Sequence, residues 1–149
     1  MTSQNEFNCY AYLQVTSELP LGEIAAHMGI AGEACSWSKG EHRKPPSRGR
    51  YPISLWSLQS GVEKGLPLDV HLQSIWKKVA AYRTQICELP SSMIGLIQCV
   101  GSFRTRRDQF IVSAGHFSTA AYYRLSFDFD FYFDDDFGND EEGHRYWEW

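Results

Sequence analysis

The chain has 149 residues, of which 43% are hydrophobic and 21% charged, close to the averages for globular domains. This length predicts a single domain, residues 1–149, that can bury a core without disulfides or metal ions. No segment approaches the roughly 18 consecutive apolar residues of a membrane span. The start of the chain, MTSQNEFNCY, lacks the basic and apolar regions of a signal peptide. We therefore expect a soluble, cytoplasmic protein.

The cysteines argue against a metal centre and against a disulfide framework. None belongs to a C-x-x-C pair, and no two have the spacing of zinc ligands. In a reducing cytoplasm such residues remain free thiols. The sequence therefore predicts no metal and no cofactor, and the residues concerned are Cys9, Cys35, Cys87 and Cys99.

Charge is distributed unevenly along the chain. The net charge is −4, but residues 127–149 contain nine acidic residues and one basic residue, a balance of −8. The rest of the chain therefore carries about +4. This asymmetry is the most informative global feature, because a segment of one sign is suited to a partner of the other sign.

The first part of the chain predicts two strands and one helix around a long loop. Residues 7–16 (FNCYAYLQVT) are rich in aromatic and β-branched types, which favours a strand. Residues 21–30 place apolar side chains on one helical face, with Gly29 in position to cap the helix. Residues 31–50 have no period and contain a Pro-Pro pair and five basic residues, which predicts an exposed basic loop. Residues 51–60 alternate as a second strand.

The second part predicts two helices and two strands. Residues 67–89 repeat apolar side chains at spacings of three and four, which indicates an amphipathic helix. Residues 93–100 (MIGLIQCV) form an apolar run typical of a central strand, and residues 113–125 predict a third helix. Residues 127–135 (FDFDFYFDD) alternate as a half-buried strand. The predicted fold is α+β, with a four-stranded sheet and three helices in the order β-α-β-α-β-α-β and with the helices mainly covering one face.

Five short motifs occur in a characteristic order between residues 7 and 133. They are a helix ending in M-G-I, a loop with S-W-S-K-G, an L-W-S-L strand, a P-L-x-x-H-L helix start and an F-D-F-Y strand. Together they resemble an uncharacterised bacterial family, DUF4279, and the matching positions are Trp37, Gly40, Trp56, His71, Asp130 and Tyr132. The resemblance implies a small α+β domain with an immunity or antitoxin role beside a toxin locus. The tail after Asp134 departs from the family pattern.

Catalytic and metal motifs are not found in the sequence. None of the five histidines lies in an H-E-x-x-H or similar arrangement, so we predict that the protein is not an enzyme. An enzyme would require His71 or His116 to meet a nucleophile or a second acid. The acidic run near the carboxyl end lacks the ligand spacing of a calcium loop.

Nucleic-acid binding is a weaker possibility. The basic loop, together with Arg104, Arg106 and Arg107, offers cations for phosphate. Against this, the protein is acidic overall and its carboxyl end would repel phosphate.

The acidic, aromatic carboxyl end (tail 134–149) and the strand before it favour docking of a basic protein. Complementary charge accelerates association, and a few buried aromatic side chains supply affinity. The leading hypothesis is therefore an immunity protein that occludes the active or substrate-binding surface of a cognate toxin, although the terminal rings can alternatively pack on the protein's own sheet. The predicted contact residues are Asp128, Asp130, Asp134, Asp135, Asp136, Glu141, Glu142, Tyr146, Trp147 and Trp149.

A second hypothesis is a small regulatory or ligand-binding domain. Its pocket would lie beside the basic loop, where indole rings and cations can hold an anion or a metabolite. The residues predicted to line it are Trp37, Lys39, Arg50 and Trp56.

Overall fold

The computed structural model describes residues 8–33, 35–103 and 110–133. Four strands and four helices follow one another along this part of the chain. In chain order they are β1 (Asn8–Ser17), α1 (Leu21–Met28), β2 (Ser54–Gln59), α2 (Leu68–Val79), α3 (Arg83–Cys87), β3 (Met93–Phe103), α4 (Ala114–Tyr122) and β4 (Ser126–Phe133).

The strands form one sheet in the order β2-β1-β3-β4. Strand β1 is antiparallel to both neighbours, and β4 is parallel to β3. The predicted α+β fold and the alternation of strands and helices are confirmed. The single long helix predicted over residues 67–89 consists of α2, a 3-10 turn over Ala80–Tyr82, and α3.

The core lies between the sheet and the helices, on one side only. Strand β1 contributes four completely buried side chains at alternate positions: Cys9, Ala11, Leu13 and Val15. Helix α2 contacts them with a stripe at helical spacing, Leu68, Leu72, Ile75 and Val79. Successive strand residues point to opposite faces. The residues between these four, such as Tyr10 and Tyr12, therefore lie on the face away from these helices.

Helix α1 ends where its sequence indicates. Gly29 has a φ of 78°, in the left-handed region that favours glycine, and its N–H donates to the carbonyl of Ala25 at 2.9 Å. Ile24 and Met28 of this helix are completely buried in the core. After Gly29 the chain runs to the outer edge of β2, where Glu33 bonds to Ser57.

Strand β2 is buried on both faces, although it is the first strand of the sheet. Every residue from Ser54 to Leu58 is buried. The segment over residues 31–50, predicted as an exposed basic loop, explains this burial. Its residues 35–38 are half-buried against β2, whereas residues 44–47 are exposed.

Hydrogen bonds from residue 33 and residues 35–39 occupy the outer edge of β2. Trp37 and Leu55 exchange two main-chain bonds of 2.9 Å. The N–H of Glu33 donates to the carbonyl of Ser57 at 3.0 Å, and the N–H of Ser57 donates to Oγ of Ser36 at 3.0 Å. We call residue 33 together with residues 35–39 the edge cover, because they satisfy main-chain groups that an edge strand otherwise exposes.

Two tryptophans near β2 differ sharply in their surroundings, and this difference predicts a difference in stability. Trp56 is 0% exposed and its indole N–H donates to the carbonyl of Ile30 at 3.2 Å. Trp37 is half-buried. Replacing Trp56 by Ala should lower the free energy of unfolding by about 3–5 kcal/mol. Trp37→Ala should cost about 1–2 kcal/mol. Urea denaturation of both variants measures the two costs, and equal losses would contradict the assignment of Trp56 to the core.

Candidate functional site: the open face of the sheet

The sheet face opposite the described helices carries acidic and aromatic side chains, and we call it the open face because no described helix covers it. Its central residues on β3, Gln98 and Val100, are buried at 7% and 4% exposure, so its exposed part is the row of carboxylates on β4. The strand register places its residues in rows across the sheet. Two such rows are Tyr12, Gln98 and Asp128, followed by Tyr10, Val100 and Asp130. Each row therefore begins at a phenol on β1 and ends at a carboxylate on β4.

The two carboxylates point to solvent from the same side of β4. Asp128 and Asp130 are both exposed. They are two residues apart, so their Cα atoms are separated by about 6.6 Å. The hydroxyl of Tyr132 donates to Oδ2 of Asp130 at 2.6 Å, which orients that carboxylate on the face. The structure thus brings together the first two predicted partner-binding residues.

The phenols of β1 lie half-buried beside these charges. The Tyr10 and Tyr12 rings stack with centroids 6.1 Å apart. Burial raises the pKa of Tyr12 to about 12, and the charges of Cys35, Asp130 and Asp128 act in the same direction. Burial also raises the pKa of Tyr10, again with a contribution from Asp130. Both phenols therefore remain neutral hydrogen-bonding groups at physiological pH, within the negative field of β4.

The edge cover borders the open face on the β2 side. Sγ of Cys35 lies 2.5 Å from Oγ of Ser57 and 2.7 Å from Nε2 of Gln59. Lys78 donates to the carbonyl of Gln59 at 2.7 Å and lies 3.9 Å from a carboxylate oxygen of Glu33. These contacts fix one boundary of the open face.

The second predicted site does not assemble as a pocket around both tryptophans. Trp56 points into the core, where its ring is completely buried, so it is a packing residue. Trp37 stacks on Tyr51 at 4.4 Å and donates its indole N–H to the carbonyl of Ile53 at 3.1 Å. The reason is that neighbouring positions of β2 face opposite sides, and only one side adjoins the edge cover.

The basic residues of that predicted pocket have partners within the protein. Lys39 forms an ion pair with Glu18. Nη1 of Arg50 donates to the carbonyl of Gly40 at 2.6 Å. The guanidinium of Arg43 lies 5.4 Å from the centre of the Tyr51 ring. These cations therefore help to hold the segment over residues 39–51 in place.

The remaining predicted contact residues and three arginines fall outside the described part of the chain. They are Asp134, Asp135, Asp136, Glu141, Glu142, Tyr146, Trp147, Trp149, Arg104, Arg106 and Arg107.

His71 packs in the core with a partner that the sequence did not reveal. Oγ of Ser60 lies 2.7 Å from Nδ1 of His71, and both residues are buried. Nε2 of His71 forms no hydrogen bond of normal length and angle with the described residues, although the main chain of Glu63 is close enough to influence the pKa of the ring. A serine hydrolase requires an accessible hydroxyl and an acid that orients the imidazole. The pair therefore lacks the geometry of a nucleophile with its base.

A second cluster contains serine, histidine and aspartate in an arrangement unsuited to nucleophilic catalysis. The indole N–H of Trp76 donates to Nδ1 of His116 at 2.9 Å, so Nε2 of His116 carries the proton and donates to Asp69 at 3.0 Å. Oγ of Ser113 donates to the same carboxylate at 2.5 Å, and this bond is the main cause of the lowered pKa of Asp69. The hydroxyl thus faces an acid and not a free imidazole nitrogen, and the network joins α4 to α2.

The described residues contain neither a metal-binding cluster nor a membrane-spanning helix. No group of three or more histidine, cysteine or acidic side chains there is arranged to hold a metal ion. No helix in residues 8–33, 35–103 and 110–133 has the length and apolar character required to cross a bilayer.

The buried imidazole of His71 predicts a pH dependence of stability. Burial lowers the pKa of His71, and a main-chain interaction with Glu63 opposes this shift. Below the ordinary histidine value of about 6.5, the unfolded chain binds the proton before the folded chain does. The free energy of unfolding should therefore decrease as the pH falls below that value.

Thermal unfolding between about pH 7.5 and 5.5 measures this effect. We expect His71→Gln to flatten the dependence relative to the original protein. The matched control is His42→Gln, since His42 is exposed, and it should leave the slope unchanged. An equal slope in the original protein and in the His71 variant would contradict the account.

Comparison with known proteins identifies one family. Neither the curated proteins nor the solved structures gave a significant match. The profile of a domain of unknown function, DUF4279, matches residues 6–134, most of the chain, and it includes every position on which the sequence resemblance depended. On the open face two of those positions, Asp130 and Tyr132, form a hydrogen bond with each other. The protein therefore belongs to the DUF4279 family.

Proposed function

We propose that this protein is a non-enzymatic binding protein that holds a basic protein partner against the open face of its sheet. The observation that supports this proposal most strongly is the exposed pair Asp128 and Asp130, set beside half-buried tyrosines on the face away from the described helices. Carboxylates accelerate encounter with a basic surface, and tyrosine rings supply apolar area with a hydrogen-bonding end.

The proposed biological form of this binding is immunity to a cognate toxin. A toxin that acts on nucleic acid needs a basic active-site surface to bind phosphate, and an acidic face of similar extent can cover that surface. Inhibition would then be stoichiometric occlusion, without chemistry on the inhibitor's side. The hydrogen-bonding of the two histidine clusters supports the non-enzymatic part of this proposal, because neither offers a free base beside an accessible nucleophile.

We include the acidic and aromatic residues of the tail 134–149 in the proposed contact on the basis of their sequence alone. They continue the charge of β4 directly, since Asp134 follows the last residue of that strand.

The proposal predicts that binding depends on the two carboxylates of β4. The test partners are candidate nuclease-type toxin domains with a basic surface, each co-expressed with this protein in bacteria. The unaltered protein should restore growth and form a one-to-one complex with at least one of them. The double variant Asp128→Lys, Asp130→Lys should associate about tenfold more slowly at low salt, because two attractive charges become repulsive.

A matched control changes the charge equally on the helical side. Glu23 and Glu88 are exposed on α1 and just after α3, and the double variant Glu23→Lys, Glu88→Lys should protect cells as well as the original protein. Equal association by the two double variants would contradict the proposed face. Killing by every candidate toxin domain regardless of this protein would contradict the immunity role.

A further inference from the structure

The two edge strands of the sheet, β2 and β4, differ in what covers them. The edge cover occupies the outer edge of β2 with its hydrogen bonds. Strand β4 forms the other edge and pairs with β3 along its inner side. In the sheet formed by the described residues, β4 is the last strand, and no other described strand lies beyond it. An edge of this kind presents a row of main-chain donors and acceptors that can receive another strand.

The side chains of β4 differ between its two faces. Asp128 and Asp130 are exposed on the open face. On the other face Phe129 and Phe131 are 37% and 43% exposed. Both rings pack edge-on against the ring of Phe110, with centroids 6.0 and 4.5 Å away. A strand added outside β4 would therefore meet carboxylates above the sheet and a supported row of aromatic rings below it.

We propose that the outer edge of β4 is a site of β-strand addition for an extended segment of a partner protein in which basic residues alternate with apolar ones. This inference rests on the proposed function and specifies its mode of recognition. Main-chain hydrogen bonds to β4 would supply affinity, and the alternation of side chains would supply specificity. The basic residues of the segment would face Asp128 and Asp130, and its apolar residues would extend the contacts of Phe129 and Phe131.

Charge argues for a basic partner and against a second copy of this chain. Residues directly opposite in an antiparallel pair share one face of the sheet, and like charges there are destabilising. In a two-fold pairing of β4 with itself centred on Phe129, Asp128 of each copy would face Asp130 of the other. A pairing centred on Asp128 or Asp130 would place that residue opposite itself. The same acids that oppose self-association attract a lysine- or arginine-bearing strand.

Synthetic peptides test this inference without any change to the protein. The probe is a heptapeptide of alternating lysine and valine, and its matched control has the same sequence with its internal amides methylated. Methylation keeps every charge and side chain but removes the donors of the ladder. A second control alternates glutamate and valine. Binding is measured by calorimetry at about 20 mM salt and again at about 500 mM salt, where surface charges are screened.

We expect the lysine–valine peptide to bind and the methylated peptide to bind at least about tenfold more weakly. The double variant Asp128→Asn, Asp130→Asn should also bind the lysine–valine peptide about fivefold or more weakly than the original protein at low salt. This difference in affinity should be smaller at high salt. Amide exchange should slow in β4 when the peptide is bound, and it should not change in β2, whose edge is already covered.

Three results would overturn strand addition. They are equal binding of the methylated and unmethylated peptides, no binding of the lysine–valine peptide, and a salt-resistant dimer of the protein alone that protects β4 from exchange. The first would indicate docking on the open face through side chains, and the last would indicate a second copy as the occupant. Failure of the proposed function is distinct, because it is measured by growth and complex formation with the toxin domains and not by the peptides.

Discussion

The one-sided burial of β1 is the constraint on which the rest of the structure depends. Its residues Cys9, Ala11, Leu13 and Val15 are completely buried beneath the helices. Because strand side chains alternate, this burial fixes the opposite face for Tyr10 and Tyr12. The pairing of β1 with β3, and of β3 with β4, then places Asp128 and Asp130 on that same face. The acidic surface is thus a consequence of how the core is built.

The two edge strands of the sheet, β2 and β4, are protected in different ways. The edge cover satisfies outer main-chain groups of β2 and covers one face of that strand, while the core covers the other. At β4, acidic side chains oppose the pairing of identical copies through like-charge repulsion. Protection by charge is selective, whereas a covering loop blocks every strand. Acidic side chains repel an acidic strand but attract a basic one. The sequence feature that guards the edge against self-association is therefore the same feature that suits it to a basic partner.

Local patterns in the sequence predicted the elements well, and long-range contacts account for what they missed. The alternation after Phe127 predicted which residues of β4 share a face, and this agrees with the register of the sheet. Periodicity does not show which face of a strand is covered, so Trp56 was placed in a ligand pocket when it belongs to the core. The buried contact between Ser60 and His71 joins the end of β2 to α2. A contact between separate elements cannot be predicted from a short sequence motif. The serine in an S-G turn beside the P-L-x-x-H-L helix start was the one available signal.

We propose that the open face and the β4 edge form the surface that meets a partner. Amide hydrogen exchange of the protein, alone and in complex with a toxin domain, can locate that surface because exchange is read along the whole chain. We expect slower exchange in β4 and in adjoining parts of β3, with α1 and the exposed side of α2 unchanged. Protection concentrated on α1 and α2, with β4 exchanging as in the free protein, would contradict it.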